Sequence, residues 1–248
     1  MPTIFRNNGK LTEITWFEKE PPKIHLYSPR KRHVLFGARR PDNARRTRQI
    51  CVRRVFAGLA EFGTPLLVTL TFKGDASDAS YANDSLRVFQ VRLRSKYPKA
   101  ESLFVPELSP RGRIHFHGLI FNVPLSLGDT RQGGRTVSIG DERKTRILAG
   151  IWGEGYVDAT KTDGSGKLAY YISKYVTKSK NQVMFNAMRL LRISRGFPAD
   201  LIIRNKFADY LAERYSVKKP AREFSREHQF LGQVTKKTYI QGYEPQKQ

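Results

Sequence analysis

The stretch that decides the fold is Glu107-Leu108-Ser109-Pro110-Arg111-Gly112-Arg113-Ile114-His115-Phe116-His117-Gly118-Leu119-Ile120-Phe121. Side chains alternate along a strand, so His115 and His117 project from one face while Ile114, Phe116 and Gly118 point to the other. Two imidazoles then stand side by side on a rigid element. They can chelate a metal without ordering two separate loops, and Glu107 can complete a three-ligand site with positions left open, as in catalytic rather than structural sites. The same pattern also occurs as two half-buried strand histidines that bind nothing.

Register determines whether Glu107 joins the histidine face. Pro110 presets the φ angle of a type I turn, and Gly112 suits the left-handed position after it, which predicts a three-residue hairpin loop with a bulge at the glycine. Ser109 then pairs with Arg113, and Glu107 falls opposite His115. A two-residue loop would instead set Glu107 opposite Ile114 and remove it from the site.

Around this hairpin the composition is strongly basic: 45 Lys and Arg against 22 Asp and Glu in 248 residues, a formal charge of +23. Such a surplus predicts a polyanionic partner, and 11% aromatic content with 11 tyrosines favours nucleic acid over a membrane surface. No apolar run is long enough to span a bilayer. The first residues lack the apolar core of a secretory signal, and the single Cys51 sits in an apparent helix. A reducing, cytoplasmic setting is therefore expected.

From Met1 to about Arg40 the chain is polar, with Ile24 to Tyr27 as its one short strand-like run. Between Arg30 and Arg54 there are ten Lys or Arg residues and one acid, Asp42. That imbalance marks Arg39, Arg40, Arg45, Arg46, Arg48 and Arg53 as candidate phosphate contacts, joined by Arg111 and Arg113 at the hairpin. Asp42 or Asn43 can cap a helix carrying Ile50, Cys51, Val55, Phe56 and Leu59, and Gly63 ends it. Leu66 to Phe72 reads as a central strand, Tyr81 to Tyr97 as an amphipathic helix, Phe104 to Leu108 with the histidine strand as the hairpin. A glycine-rich loop follows from Asn122 to Gly140. Then come a short helix from Asp141 to Trp152, a strand from Glu154 to Thr160, a helix from Lys167 to Lys180 and another from Ala199 to Tyr215. The tail from Val217 to Gln248 is basic and expected to be partly disordered. The predicted fold is α+β, a central antiparallel sheet with helices on one face and a site on the other, plus basic N- and C-terminal extensions. The expected divisions are a basic arm and helix over 1–63, a core over 64–195 and a helix with a basic tail over 196–248.

Leu168-Ala169-Tyr170-Tyr171-Ile172-Ser173-Lys174-Tyr175-Val176-Thr177-Lys178 supplies the second half of the site. At about 100° per residue, with Tyr171 at zero, Tyr175 lies at about 40°, Lys174 at about −60° and Lys178 at about −20°. Leu168, Ala169, Ile172 and Val176 form a separate apolar stripe that can dock on the sheet. Tyr170, near −100°, belongs to another surface, unless the helix start slips by one residue. A deprotonated phenol is a nucleophile, and a nearby cation lowers its pKa. Tyrosines also serve as ordinary interfacial residues with buried rings and wet hydroxyls.

Thr69-Leu70-Thr71, then His115-Phe116-His117 preceded by Glu107, then Tyr171-Ile172-Ser173-Lys174-Tyr175 follow in an order that resembles the HUH endonucleases: rolling-circle initiators, relaxases and related transposases. The paired tyrosines and Ile151-Trp152-Gly153-Glu154-Gly155-Tyr156-Val157 are most similar to initiators of small single-stranded DNA phages. The resemblance spans roughly Leu66 to Lys180. It implies an HUH/RRM-like core and a metal-dependent transesterification that nicks single-stranded origin DNA, including an extruded hairpin. His115, His117 and Glu107 would hold Mg²⁺ or Mn²⁺. Tyr171 or Tyr175 would attack, leaving a 5′-phosphotyrosine and a 3′-OH primer, and the other would later rejoin the strand. Lys174 and Lys178 would offset phosphate charge. A host helicase and polymerase in a bacterial cytoplasm are the implied partners.

Gly164-Ser165-Gly166-Lys167 is only half a phosphate loop, since Lys161 stands where its first glycine belongs and Leu168 where Ser or Thr belongs, so no nucleotide cofactor is expected. Three rival readings remain open. One is a non-catalytic nucleic-acid-binding protein with stacking tyrosines. Another is a relaxase or transposase of the same superfamily. The third is a small-molecule metalloenzyme, for which the charge has no use.

Overall fold

The computed structural model describes residues 2–20, 41–74, 76–127, 142–178, 189–204 and 206–242. By contacts the chain forms two compact units, residues 1–34 with 198–248, and residues 35–197.

In the 35–197 unit the chain runs α1 (Pro41–Glu61), β3 (Leu66–Phe72), α2 (Ala79–Lys96), β4 (Glu101–Leu108), β5 (Ile114–Phe121), α3 (Glu142–Trp152), β6 (Gly155–Lys161), α4 (Lys167–Lys178) and β7 (Arg192–Ile193). The sheet is antiparallel throughout, in the order β6-β3-β5-β4-β7. The central strand read from the sequence forms as β3, with its burial alternating: Leu66, Val68, Leu70 and Phe72 are buried while Leu67, Thr69 and Thr71 are half-buried.

One face of this sheet packs on α2 and α3 through aromatic rings. Trp152 lies edge-on to Phe72 at 4.9 Å and to Phe89 at 5.8 Å, and Phe89 meets Phe104 at 5.9 Å. Trp152 also donates its indole N–H to the Thr71 carbonyl at 3.1 Å, which ties the helix to the strand. Gly118, opposite Phe104, makes room for that ring: a Cβ there would lie 2.2 Å from it. The α2 helix begins at Asp78, whose carboxylate accepts from the Ser80 N–H at 2.7 Å.

Helices were expected on one face only, and the structure differs. Helix α4 packs on β4 and β5 from the histidine side and against α1. The apolar stripe of α4 (Ala169, Ile172, Val176) is buried, as are Leu103 and Val105. The helix expected with the N-terminal arm thus belongs to the unit that carries the site, because Cys51, Val55, Phe56 and Leu59 are buried. Its end is followed by Gly63 at φ +78°, the left-handed conformation that closes a helix.

The other unit holds β1 (Thr3–Asn7), β2 (Leu11–Phe17), β8 (Leu201–Ile203), α5 (Lys206–Ser216), β9 (Arg222–His228) and β10 (Gly232–Ile240). Its antiparallel sheet runs β8-β1-β2-β10-β9, and α5 buries Ala208 and Ala212 with Phe5, Ile14 and Tyr239. Three expectations are corrected here. The first segment is not strand-poor, the tail is not disordered over β9 and β10, and the helix expected from Ala199 starts at Lys206 after a short strand. Two of its four pairings, β1 with β8 and β2 with β10, join the two ends of the chain, as Phe5 with Ile203 and Ile14 with Lys237, so burial there comes from distant partners rather than local apolar runs. Ile24 to Tyr27 and the loop from 128 to 141 lie outside the described residues.

Candidate active site

The hairpin takes the three-residue register. The Ser109 N–H donates to the Arg113 carbonyl at 2.8 Å, the Gly112 N–H donates to the Ser109 carbonyl at 3.0 Å, and Gly112 has φ +77°. Glu107 is therefore directly opposite His115. Strand β3 completes the row on the other side, setting Thr69 against His117 and Thr71 against His115. Directly opposed residues share a face, so Glu107, His115, His117, Thr69 and Thr71 converge on one surface.

The bonding within that surface is specific. Each imidazole Nδ1 meets a threonine hydroxyl, His117 with Thr69 at 3.2 Å and His115 with Thr71 at 3.1 Å. His117 Nε2 lies 2.6 Å from a Glu107 carboxylate oxygen. Burial draws both rings below the ordinary histidine pKa, against the opposing pull of Glu107; for His115 the Arg113 charge adds to the lowering. A neutral His117 donates through Nε2 to the carboxylate, so its Nδ1 accepts from Thr69. The second Glu107 oxygen accepts from Lys178 at 3.0 Å.

Helix α4 brings the tyrosines over this surface at the phase expected from its sequence. The Tyr175 ring stacks on the His117 ring, with centroids 4.0 Å apart and planes 12° apart. The Tyr175 hydroxyl donates to the Tyr171 oxygen at 3.0 Å. Lys174 lies 4.7 Å from the Tyr171 ring centre and Lys178 5.3 Å from that of Tyr175. The two phenols are unequal: Tyr175 is 8% exposed and Tyr171 39%. Burial, then the bond to Tyr171, raise the Tyr175 pKa above its ordinary value. Tyr170 points away from this stripe and packs edge-on to Phe56 at 6.2 Å.

Two imidazoles and one carboxylate on a single face are the donor chemistry of a divalent-ion site. Among the described residues, however, no three His, Cys, Asp or Glu side chains are gathered as a ligand set. Glu107 is turned instead to His117 and Lys178. The donors fit an ion in type and in row, and the threonine bonds orient the rings in the way that histidine ligands require. To bind an ion through Nε2, His117 would have to carry its proton on Nδ1, and that N–H would then donate a hydrogen bond to the Thr69 oxygen.

Thr69 and Thr71 are the site residues that the sequence did not reveal as ring partners. Their signal is the Thr-x-Thr alternation matching His-x-His, legible only once β3 and β5 are known to pair. Of the candidate phosphate contacts, Arg45, Arg46 and Arg48 are exposed on α1, Arg53 is half-buried, and Arg111 and Arg113 are exposed at the hairpin. Arg39 and Arg40 lie outside the described residues.

Residues 65–180, from β3 to the end of α4, match the family model described as replication-associated protein ORF2/G2P. No curated protein and no solved structure matches the chain. The matched span contains every residue of the His, Glu, Thr, Tyr and Lys cluster. Among the described residues no helix is long and apolar enough to cross a membrane.

Proposed function

We propose that this site cuts and rejoins single-stranded DNA by transesterification on tyrosine, and that the chain initiates rolling-circle replication as an HUH endonuclease of the phage type. The observation that carries the reading is the join between its halves. Tyr175 is stacked on His117, which is bonded to Glu107, and the Tyr175 hydroxyl reaches the Tyr171 hydroxyl at 3.0 Å.

In the first step a tyrosine oxygen bonds to the scissile phosphorus, its proton is released, and the bond to the 3′-oxygen breaks. The leaving 3′-oxygen takes a proton and becomes the primer end, while the 5′-phosphate stays on tyrosine. One phosphodiester replaces another, so rejoining needs no outside energy source. Tyr171 is the first nucleophile on this reading, because it is the more exposed of the two phenols, 39% against 8% for Tyr175. Lys174, beside Tyr171, and Lys178 offset the charge that builds on the phosphate. Mg²⁺ or Mn²⁺, held by His115, His117 and Glu107, would supply Lewis-acid polarisation of that phosphate. The exposed arginines of α1 and the hairpin hold the DNA backbone. A host polymerase extends the 3′-OH and a host helicase opens the duplex, in a bacterial cytoplasm.

The test is covalent capture. The full chain is incubated with a library of single-stranded oligonucleotides in Mn²⁺, and adducts that survive denaturing electrophoresis are sequenced. Metal-dependent adducts should form, fall sharply in Tyr171→Phe and vanish in the double Tyr171→Phe, Tyr175→Phe variant. If Tyr175→Phe alone abolished both cutting and joining, the two-nucleophile account would be wrong. Binding without any adduct would leave a non-catalytic nucleic-acid-binding protein.

A further inference from the structure

The sheet of the 1–34 and 198–248 unit has two different faces. Phe5, Ile14 and Tyr239 stand in the rows that pack on α5. Register then assigns Thr15, Lys236 and Phe224 to one row of the opposite face, with Thr238 and Arg222 on one side and Val234 and Arg226 on the other.

Strand β9 sorts its charges by face. Glu223, Ser225 and Glu227 share the α5 side, where Glu223 pairs with Lys237 at 3.3 Å and Ser225 bonds Thr235 at 2.8 Å. Arg222, Phe224 and Arg226 share the other side. Both arginines are exposed, and neither guanidinium group makes an ion pair or hydrogen bond among the described residues. Phe224, between them, is 51% exposed. Lys236, its neighbour in the row, is bonded to Glu13.

Charges on an edge strand also keep it from pairing with another sheet. That purpose is met by charge of either sign on either face. It explains neither the sorting nor an open phenyl ring between two unpaired guanidinium groups. Residues two apart on a strand are about 6.6 Å apart, so the ring lies between two phosphate donors on one line.

We propose that the face centred on Arg222, Phe224 and Arg226 binds single-stranded DNA, with the arginines on phosphates and Phe224 stacked on a base. The combination of a basic track with an aromatic platform is what unpaired strands recognise without sequence preference. A duplex hides the base faces that the ring would use. The proposal does not depend on the tyrosine chemistry.

The test is fluorescence anisotropy of a labelled oligothymidylate with the full chain, in EDTA so that metal-dependent cutting is suppressed. Phe224→Ala should weaken binding about tenfold, and Phe224→Trp should restore it. The Arg222→Ala, Arg226→Ala double variant should lower the slope of log affinity against log salt by about 1.4. The charge-matched double Lys96→Ala, Lys99→Ala, at exposed positions of the other unit, should keep the wild-type slope. Unchanged thermal midpoints establish that the exposed substitutions leave the fold intact. The proposal is overturned if Phe224→Ala binds like wild type, if the two double variants lose slope equally, or if duplex DNA competes as well as the single strand. Covalent capture by Tyr171 and Tyr175 is read separately, so failure of one reading leaves the other standing.

Discussion

Replacing Thr69 by Val tests whether the histidine rings are metal ligands oriented from behind. The substitution keeps a β-branched side chain on the strand and deletes only the hydroxyl 3.2 Å from His117 Nδ1. If His117 bound an ion through Nε2, its Nδ1 would carry the proton and need an acceptor, and among the described residues the Thr69 oxygen is the one placed there. Removing such an orienting partner typically lowers metal affinity roughly 10- to 100-fold, about 1.4 to 2.7 kcal/mol. Fold stability should change little, by about 1 kcal/mol, since the site is half-buried and the lost hydrogen bond is a modest one. Calorimetric titration of Mn²⁺ into the folded protein reads the affinity, and urea denaturation reads the stability. Thr71→Val, acting on His115 at 3.1 Å, should produce a loss of the same order. If both variants bind Mn²⁺ like wild type while remaining folded, the rings are not ligands held by these threonines, and the metal reading of the row fails.

Gly118→Ala should be strongly destabilising, because its Cβ would sit 2.2 Å from the Phe104 ring and 2.5 Å from the Leu103 carbonyl oxygen, with Phe104 fully buried. Overpacking of this kind costs about 1–3 kcal/mol or more, readable as a drop in the urea midpoint at unchanged slope. Alkaline stability should depend on Tyr175, whose phenol stays protonated in the fold above its ordinary pKa of 10.0. Below pH 10 both states keep the proton, whereas above it the unfolded chain loses a proton that the fold retains. Stability therefore falls as pH rises, approaching about 1.4 kcal/mol per pH unit for this one group. Tyr175→Phe should flatten the decline measured by urea midpoints between pH 9 and 11, and an unchanged slope would refute the assignment.

What could be read in the sequence was local. Pro110 and Gly112 fixed the hairpin register because turn chemistry acts within a few residues, and the helical phase of α4 separated Tyr171 and Tyr175 from Tyr170. What could not be read depends on contacts between remote segments. Strand β9 is almost wholly exposed and shows no apolar alternation, so nothing in Arg222 to His228 announces a strand until β10 is beside it. The Thr69 and Thr71 partnerships needed the β3 to β5 pairing, and the stack of Tyr175 on His117 needed α4 to dock on the histidine face. The expectation that one face would be free of helices failed for the same reason. The apolar stripe of α4 was evident, but which side of the sheet would receive it was not.

The strengths of the contacts around Glu107 indicate how the candidate site can open. Its bond from the neutral His117 N–H lies inside the half-buried row, and hydrogen bonds to charged groups contribute about 1.5–3 kcal/mol. Its bond from Lys178 involves a side chain that is 62% exposed, and such surface pairs are worth about 0–1 kcal/mol. Glu107 is therefore held mainly by the sheet and only weakly by the helix. Helix α4 does not rely on that ion pair to stay in place, since Ala169, Ile172 and Val176 are buried beneath it and Tyr175 stacks on His117. Lys178 can leave Glu107 for another anion at little cost to the fold, while the phenols keep their positions. A phosphate entering over Tyr171 would meet a cation already beside the carboxylate, and Glu107, relieved of Lys178, would be free on one oxygen. The closed arrangement of His117, Glu107 and Lys178 is thus compatible with a resting state from which a site for anionic substrate and cation can open.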